Sequence, residues 1–325
     1  MKRFIVFAFL GLAVLAVALW LTDYTARGRA IADADRTLAA RARMIADTID
    51  RTLQWRMTEA FTFAALPSLR GFAASDETER PARTVVALVE LKAMVAADSS
   101  IRVASIVDPL GEVVLTTDSS MRADWGNRVF VREALAGHLY ASAPSRDFGE
   151  VSQFYSAPII DNAGNVAGAL VVRVAVQELW GALSAPPEVM LVDENGVRIV
   201  DRSVAPQTFT ALVPLASAVY ARVLLEKRYG VEVTQISATH LDALADAIGQ
   251  DKTATLTYRD ANGRAVRAAT QRIATYPWTV IVFQDEDTVL VPSRDAVVEA
   301  IGLGAVALIA GAILGMAFRG QGQGK

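Results

Sequence analysis

The chain of 325 residues contains no cysteine and only two histidines. The first absence excludes disulfides and thiolate chemistry, while leaving the redox compartment open. The second, with no HExxH and no paired acidic loop, leaves His138 and His240 without the company a metal site needs. There is no G-x-S-x-G, no glycine-rich phosphate loop ahead of a helix and no carboxylate pair in a recognisable frame, so neither a catalytic centre nor a cofactor is expected. An excess of basic charge is also lacking. A net charge of -3 and a pI near 5.6 supply no positive field for nucleic acid.

What the chain has in excess is apolar residues, 53% of the total, with a mean hydropathy of +0.31. The surplus sits at the two ends. "FIVFAFLGLAVLAVALWL" (4 to 21) and "AIGLGAVALIAGAILGMAF" (300 to 318) are each long enough at about 1.5 Å per residue to cross a bilayer core. The first run is longer than the apolar region of a cleaved signal peptide, which favours an uncleaved anchor. Lys2 and Arg3 flank the first run and Arg319 and Lys325 the second. Both termini are therefore expected in the cytoplasm, with residues 23–294 outside.

Between the ends, Leu38, Ala42, Ile45, Ile49, Leu53, Met57, Ala60 and Ala64 recur at steps of three and four, predicting one long amphipathic helix that continues out of the membrane. Pro67 and Gly71 should break it. A second helix is expected from Pro81 to Ala97, with Val85, Leu88, Val89, Leu91 and Val95 on its apolar side. The stripe on the long helix could pack against the chain's own sheet or against a partner chain.

Beyond Ser99 the period changes to that of strands, and a repeat appears. "ASIVDPLGEVVLTTDSS" (104 to 120) is echoed by "VMLVDENGVRIVDRS" (189 to 203). "YSAPIIDNAGNVAGALVVRV" (155 to 174) is echoed by "ATLTYRDANGRAVRAATQRI" (254 to 273), which leads into "WTVIVFQ". In each, an aspartate and a turn glycine stand between apolar runs with two residues separating them, so each reads as a hairpin. Two sheet modules in tandem follow, joined near "LSAPPE" (183 to 188), with further helix in 211–229 and 239–248. The expected divisions are 1–22 for the first anchor, 23–98 for the two helices, 99–182 and 183–294 for the modules, 295–319 for the second anchor and 320–325 for a tail.

This plan resembles the double Cache family of bacterial extracytoplasmic sensors found in chemoreceptors, histidine kinases and cyclic-dinucleotide enzymes. The resemblance implies an α+β fold: two PAS-like antiparallel sheet modules on a long helix, flanked by transmembrane helices, in the bacterial inner membrane. "NRVFVREALAG" (127 to 137) is similar to the Arg-Pro-Tyr-Phe and Ala-Leu-x-Gly segment of sensor kinases for C4-dicarboxylates. Arg128 is retained, while Val129, Phe130 and Val131 replace the proline and the aromatic pair. The Arg-x-Trp-Tyr of the amino-acid branch is absent. In "GALVVRVAV", Arg173 stands where the dicarboxylate sensors carry lysine, and Ala169, Val171 and Arg173 share one face of the strand. Two guanidinium groups facing one cavity suit an anion with two ends. Buried without a partner they would cost several kcal/mol, so a ligand or an internal acid is required. The alternative pairs Arg128 with Asp124 or Asp161 and sends Arg173 to solvent at a sheet edge.

The same resemblance adds Phe130 and Tyr155 to the candidate ligand site, and Tyr140, Ser142 and Arg146 on the loop after the pocket helix. It further implies a homodimer. Only "RGQGQGK" follows the second apolar run, so a separate signalling output protein is expected as partner. The competing expectations are an envelope assembly or interaction protein whose pocket is filled by its own side chains, and the sensor part of a truncated histidine kinase, chemoreceptor or cyclase.

Overall fold

The computed structural model describes residues 2–119, 125–176, 188–202, 207–248, 253–260 and 262–321, with side chains from 14 to 306. Helix α1 (Lys2–Ala64) runs unbroken for 63 residues. Of the stripe read from its sequence, Leu38, Ala42, Ile45, Ile49, Leu53, Ala60 and Ala64 are buried, and Met57 packs against them. They lie along one face of both sheets, so the chain itself covers the stripe. Pro67 does more than break α1: it opens α2 (Pro67–Ala73), because a helix's first residue needs no N–H donor.

Helix α3 (Arg80–Ala97) buries Ala87, Leu91 and Met94. Of the expected apolar side, Leu91 is buried and Leu88 and Val95 pack against the core, whereas Val85 and Val89 are exposed. Arg56 of α1 donates to Asp98 Oδ2 (2.6 Å) and Ser100 Oγ (2.6 Å) just past the end of α3, and this anchoring turns the Ala87 face inward.

The first sheet contains β1 (Ile101–Val107), β2 (Val113–Thr116), β3 (Tyr140–Ala141), β4 (Ser145–Asp147), β5 (Glu150–Ile160) and β6 (Val166–Ala175), ordered β2-β1-β6-β5-β3 with β4 also on β5. The second contains β7 (Glu188–Val192), β8 (Arg198–Asp201), β9 (Ala254–Arg259), β10 (Ala265–Arg272) and β11 (Thr279–Asp285), ordered β8-β7-β11-β10-β9. All strand pairs are antiparallel. Helix α4 (Val129–Leu135) packs on the first sheet opposite α1, while α5 (Ser217–Leu225) and α6 (Asp242–Ile248) lie between β8 and β9.

The repeated turns form as read. Asp108, Asp161, Asp193 and Asp260 each accept, through Oδ1, the backbone N–H groups two and four residues on. Gly111, Gly164, Gly196 and Gly263 follow with positive φ, as such turns require. Most of the expected joint at 183–188 lies outside the described residues, as does Asp124.

At the ends, α7 (Glu286–Val289) leads into α8 (Val291–Gln321), which runs beside α1: a Cβ on Gly304 would lie 3.1 Å from Leu15 Cδ1. Among the described residues no helix is long and apolar enough to cross a membrane. The side chains of much of both apolar runs lie outside that description.

Candidate functional site

On the α4 side of the first sheet, Val103, Val107, Phe154 and Val171 meet Trp125, Phe130 and Val131 in an apolar cluster. Phe130 and Phe154 stack with centroids 4.5 Å apart and planes at 5°, and Trp125 meets both edge-on. Ser156 Oγ donates to Phe130 O (2.6 Å), seating α4 on β5.

Arg128 immediately precedes α4 in an extended conformation (φ -77°, ψ 135°). Its side chain turns into the sheet and is 8% exposed. The guanidinium carbon lies 5.1 Å from the Phe130 centroid and 5.6 Å from that of Phe154. Its charge is met by an acid of the chain: Nη2 donates to Asp147 Oδ2 (3.1 Å) and Nη1, more weakly, to Oδ1 (3.4 Å). The partner is thus Asp147 and not Asp161. Asp147 also accepts from Ser145 Oγ (2.8 Å) and from the Val231 N–H (2.9 Å). Burial pushes the Asp147 carboxyl upward, but the Arg128 charge and these hydrogen bonds outweigh it and hold the group below its ordinary value.

Arg173 lies on β6 opposite Phe154 in register, on the same face as Val171, as alternation requires. It is buried away from solvent. Nε donates to Ser152 Oγ (2.9 Å), and Nη2 to Asp147 O (3.1 Å) and Glu150 Oε2 (3.5 Å). Phe148 stacks on it at 5.1 Å. Burial lowers its pKa, and the more distant acids Glu150 and Asp147 do not restore it. Glu150 is shared with Arg102 (3.4 Å).

The other candidates divide. Phe130, Tyr140 and Ser142 line, with Arg128, Glu226 and Arg228, a cavity of about 20 Å³, room for about one water. Ser142 is committed to the backbone, accepting from Phe154 N–H (2.9 Å) and donating to Ala143 O (2.7 Å). The Arg146 side chain is exposed beside Phe209 (5.8 Å), outside this cavity. Tyr155 is displaced furthest: it alternates with Phe154, faces α1 among Arg56, Ala60 and Met94, and donates to Gln153 Oε1 (2.9 Å). Its phenol is pushed upward by burial. Because Phe154 pairs with Arg173 on β6, alternation sends Tyr155 to the opposite face, away from Arg128.

Asp147, Ser152 and Phe154 complete the cluster without having been singled out. The signal for Asp147 was in "SRDFGE" (145 to 150), where Phe148 and Gly149 take positive φ (58° and 76°) to turn β4 into β5. A further partner comes from the second module. Arg146 N–H donates to Tyr229 O (2.8 Å), Gly149 N–H to Glu232 Oε1 (2.7 Å), and Arg132 Nη2 to Glu226 Oε1 (3.1 Å).

The architecture is thus a long helix carrying two tandem antiparallel sheets, with paired charges buried beneath a short helix in the first. The sequence matches the family model for the Cache domain (dCache_1) over residues 23–293, and the chain belongs to that family, whose members are extracytoplasmic sensor domains of membrane receptors. Among curated proteins none matches it. Solved structures share the fold. The sensor domain of the V. cholerae histidine kinase DctB is 12% identical, with a TM-score of 0.52 over 75% of this chain and 98% of that one. The Campylobacter jejuni chemoreceptor Tlp3 ligand-binding domain, in complex with L-valine, is 13% identical, with a TM-score of 0.56 over 82% and 98%. A putative sensory box/GGDEF family protein domain from Vibrio parahaemolyticus is 14% identical, with a TM-score of 0.53 over 81% and 98%.

Proposed function

We propose that the chain is a two-pass, membrane-anchored sensor of the bacterial inner membrane. Its membrane-distal module binds a small carboxylate through Arg128 and Arg173, and it signals as a homodimer to a separate output protein. One observation carries this reading: two guanidinium groups are buried on one face of one sheet, and Arg173 has a hydroxyl, a carbonyl and a distant shared carboxylate where a close acid would be expected. An anionic ligand supplies the missing counter-charge.

The test is thermal shift followed by calorimetry on the full-length chain in detergent, against C4-dicarboxylates, monocarboxylates, amino acids and amines. A ligand at 100 times its Kd should stabilise by about 2.7 kcal/mol, and Arg128→Ala and Arg173→Ala should each abolish the shift. The small cavity beside Arg128 and its pairing with Asp147 favour a second reading, an interaction protein with a self-filled pocket. In that case nothing in the panel binds and Arg128→Ala merely lowers stability.

A further inference from the structure

The turn from Asp147 to Glu150 touches both candidate cations. The Asp147 carboxylate is on Arg128, while the Asp147 carbonyl, the Phe148 ring and the Glu150 carboxylate are on Arg173. The turn is lightly held by its own sheet. β4 is three residues long and among the described residues pairs only with β5, and the Phe148 side chain at the tip is half exposed. Much of its hold comes from the other module. The segment from Tyr229 to Glu232 donates Val231 N–H to Asp147, accepts Gly149 N–H on Glu232, and accepts Arg146 N–H on the Tyr229 carbonyl. Gly230 makes the approach possible: at φ +101°, a Cβ there would lie 2.0 Å from Arg146 O.

We propose that the turn from Asp147 to Glu150 is an internal competitor for the ligand, a tethered carboxylate plug that the second module clasps and that only a ligand with two anionic groups displaces. The proposal rests on the carboxylate reading above. A tethered group acts at an effective concentration of the order of millimolar or more. A monocarboxylate arriving at Arg128 reproduces the contacts of Asp147 and gains nothing to offset this. A dianion also reaches Arg173, whose present partners are weak, and so can prevail. Swinging the turn outward uncovers both arginines together. It also breaks the Val231 to Asp147 bond, so occupancy of the first module loosens its junction with the second, and no separate relay is needed.

The experiment compares succinate and acetate binding by calorimetry on the full-length chain in detergent, for the wild type, Asp147→Asn and Glu232→Ala, with hydrogen exchange read at the Val231 amide. Asp147→Asn keeps the shape of the turn and removes the competing charge. Succinate should bind it at least tenfold more tightly than the wild type, and acetate should bind it where the wild type takes none. Glu232→Ala, which touches neither arginine, should tighten succinate binding several-fold by loosening the clasp. Saturating succinate should speed exchange at Val231 in the wild type. The plug is refuted on its own if the wild type binds succinate through Arg128 yet neither substitution tightens binding, or if Val231 exchange stays unchanged at saturation. If wild type and both variants fold but none binds succinate or acetate, the carboxylate reading falls and the plug with it.

Discussion

Gly230 shows how much one residue decides here. With φ at +101° and the Arg146 carbonyl 2.0 Å from where a Cβ would stand, Gly230→Ala combines backbone strain with a backbone clash. A loss of about 2 kcal/mol or more is expected, read as a lower melting temperature. Gly137 also has positive φ, but nothing lies within 4 Å of where its Cβ would stand, so its substitution should cost only the strain. Asp147 and Asp98 set the acid limit. Both carboxyls are raised by burial and lowered further by hydrogen bonds and arginine charge, Asp98 by Ser100 and Arg56, to below the ordinary 3.8. Their contribution is therefore complete above about pH 4 and is lost as pH falls through the lower folded values. Melting temperatures taken from pH 7 to pH 3 should fall steeply at the acid end, and Asp98→Asn should flatten that fall.

At the scale of elements, α1 is both spine and core. Leu53 is fully buried against the sheets, so Leu53→Ala should cost about 3 kcal/mol, measurable by denaturant titration. Arg56 ties α1 to the connection between α3 and β1 through Asp98 and Ser100, and also meets Glu59 (2.8 Å) on its own helix. Arg56→Ala leaves Glu59 and Asp98 partly buried without their cation, Asp98 keeping the Ser100 N–H, and should cost about 3 kcal/mol or more. The helices were read from the sequence with different success. The α1 stripe stands out because its large apolar residues repeat over many turns. The buried face of α3 depends on Ala87, whose small side chain is weak evidence of burial, and on an anchor from Arg56 that lies 42 residues from Asp98 in sequence.

Over the whole molecule, the surface of α1 bears on the proposed homodimer. Met44 and Trp55 are more than half exposed and, being eleven residues apart, point within about 20° of each other. A dimer seam along that face should be weakened by Trp55→Arg. Since the chain contains no cysteine, a single Thr48→Cys substitution in the membrane-bound chain provides a clean cross-linking readout. A disulfide-linked dimer that disappears with Trp55→Arg is the expected result, and unchanged monomer under oxidation would count against the seam.

The amino-acid sequence by itself determined the parts of this protein that depend on local chemistry. Four aspartates, each three residues ahead of a glycine, specify four turns, because the Asx side chain and the positive φ act within five residues. The steps of three and four from Leu38 to Ala64 specify a helix and its inward face, and the alternation of Ala169, Val171 and Arg173 specifies which side of β6 carries the cation. Tertiary structure decided the rest. That Arg128 meets Asp147 depends on β4 folding back onto β5, and that Tyr155 faces α1 depends on the register of β5 against β6. That Val231 reaches Asp147 across 84 residues of chain depends on how the second module docks on the first. Such pairings arise from packing between distant segments, and no spacing along the chain encodes them.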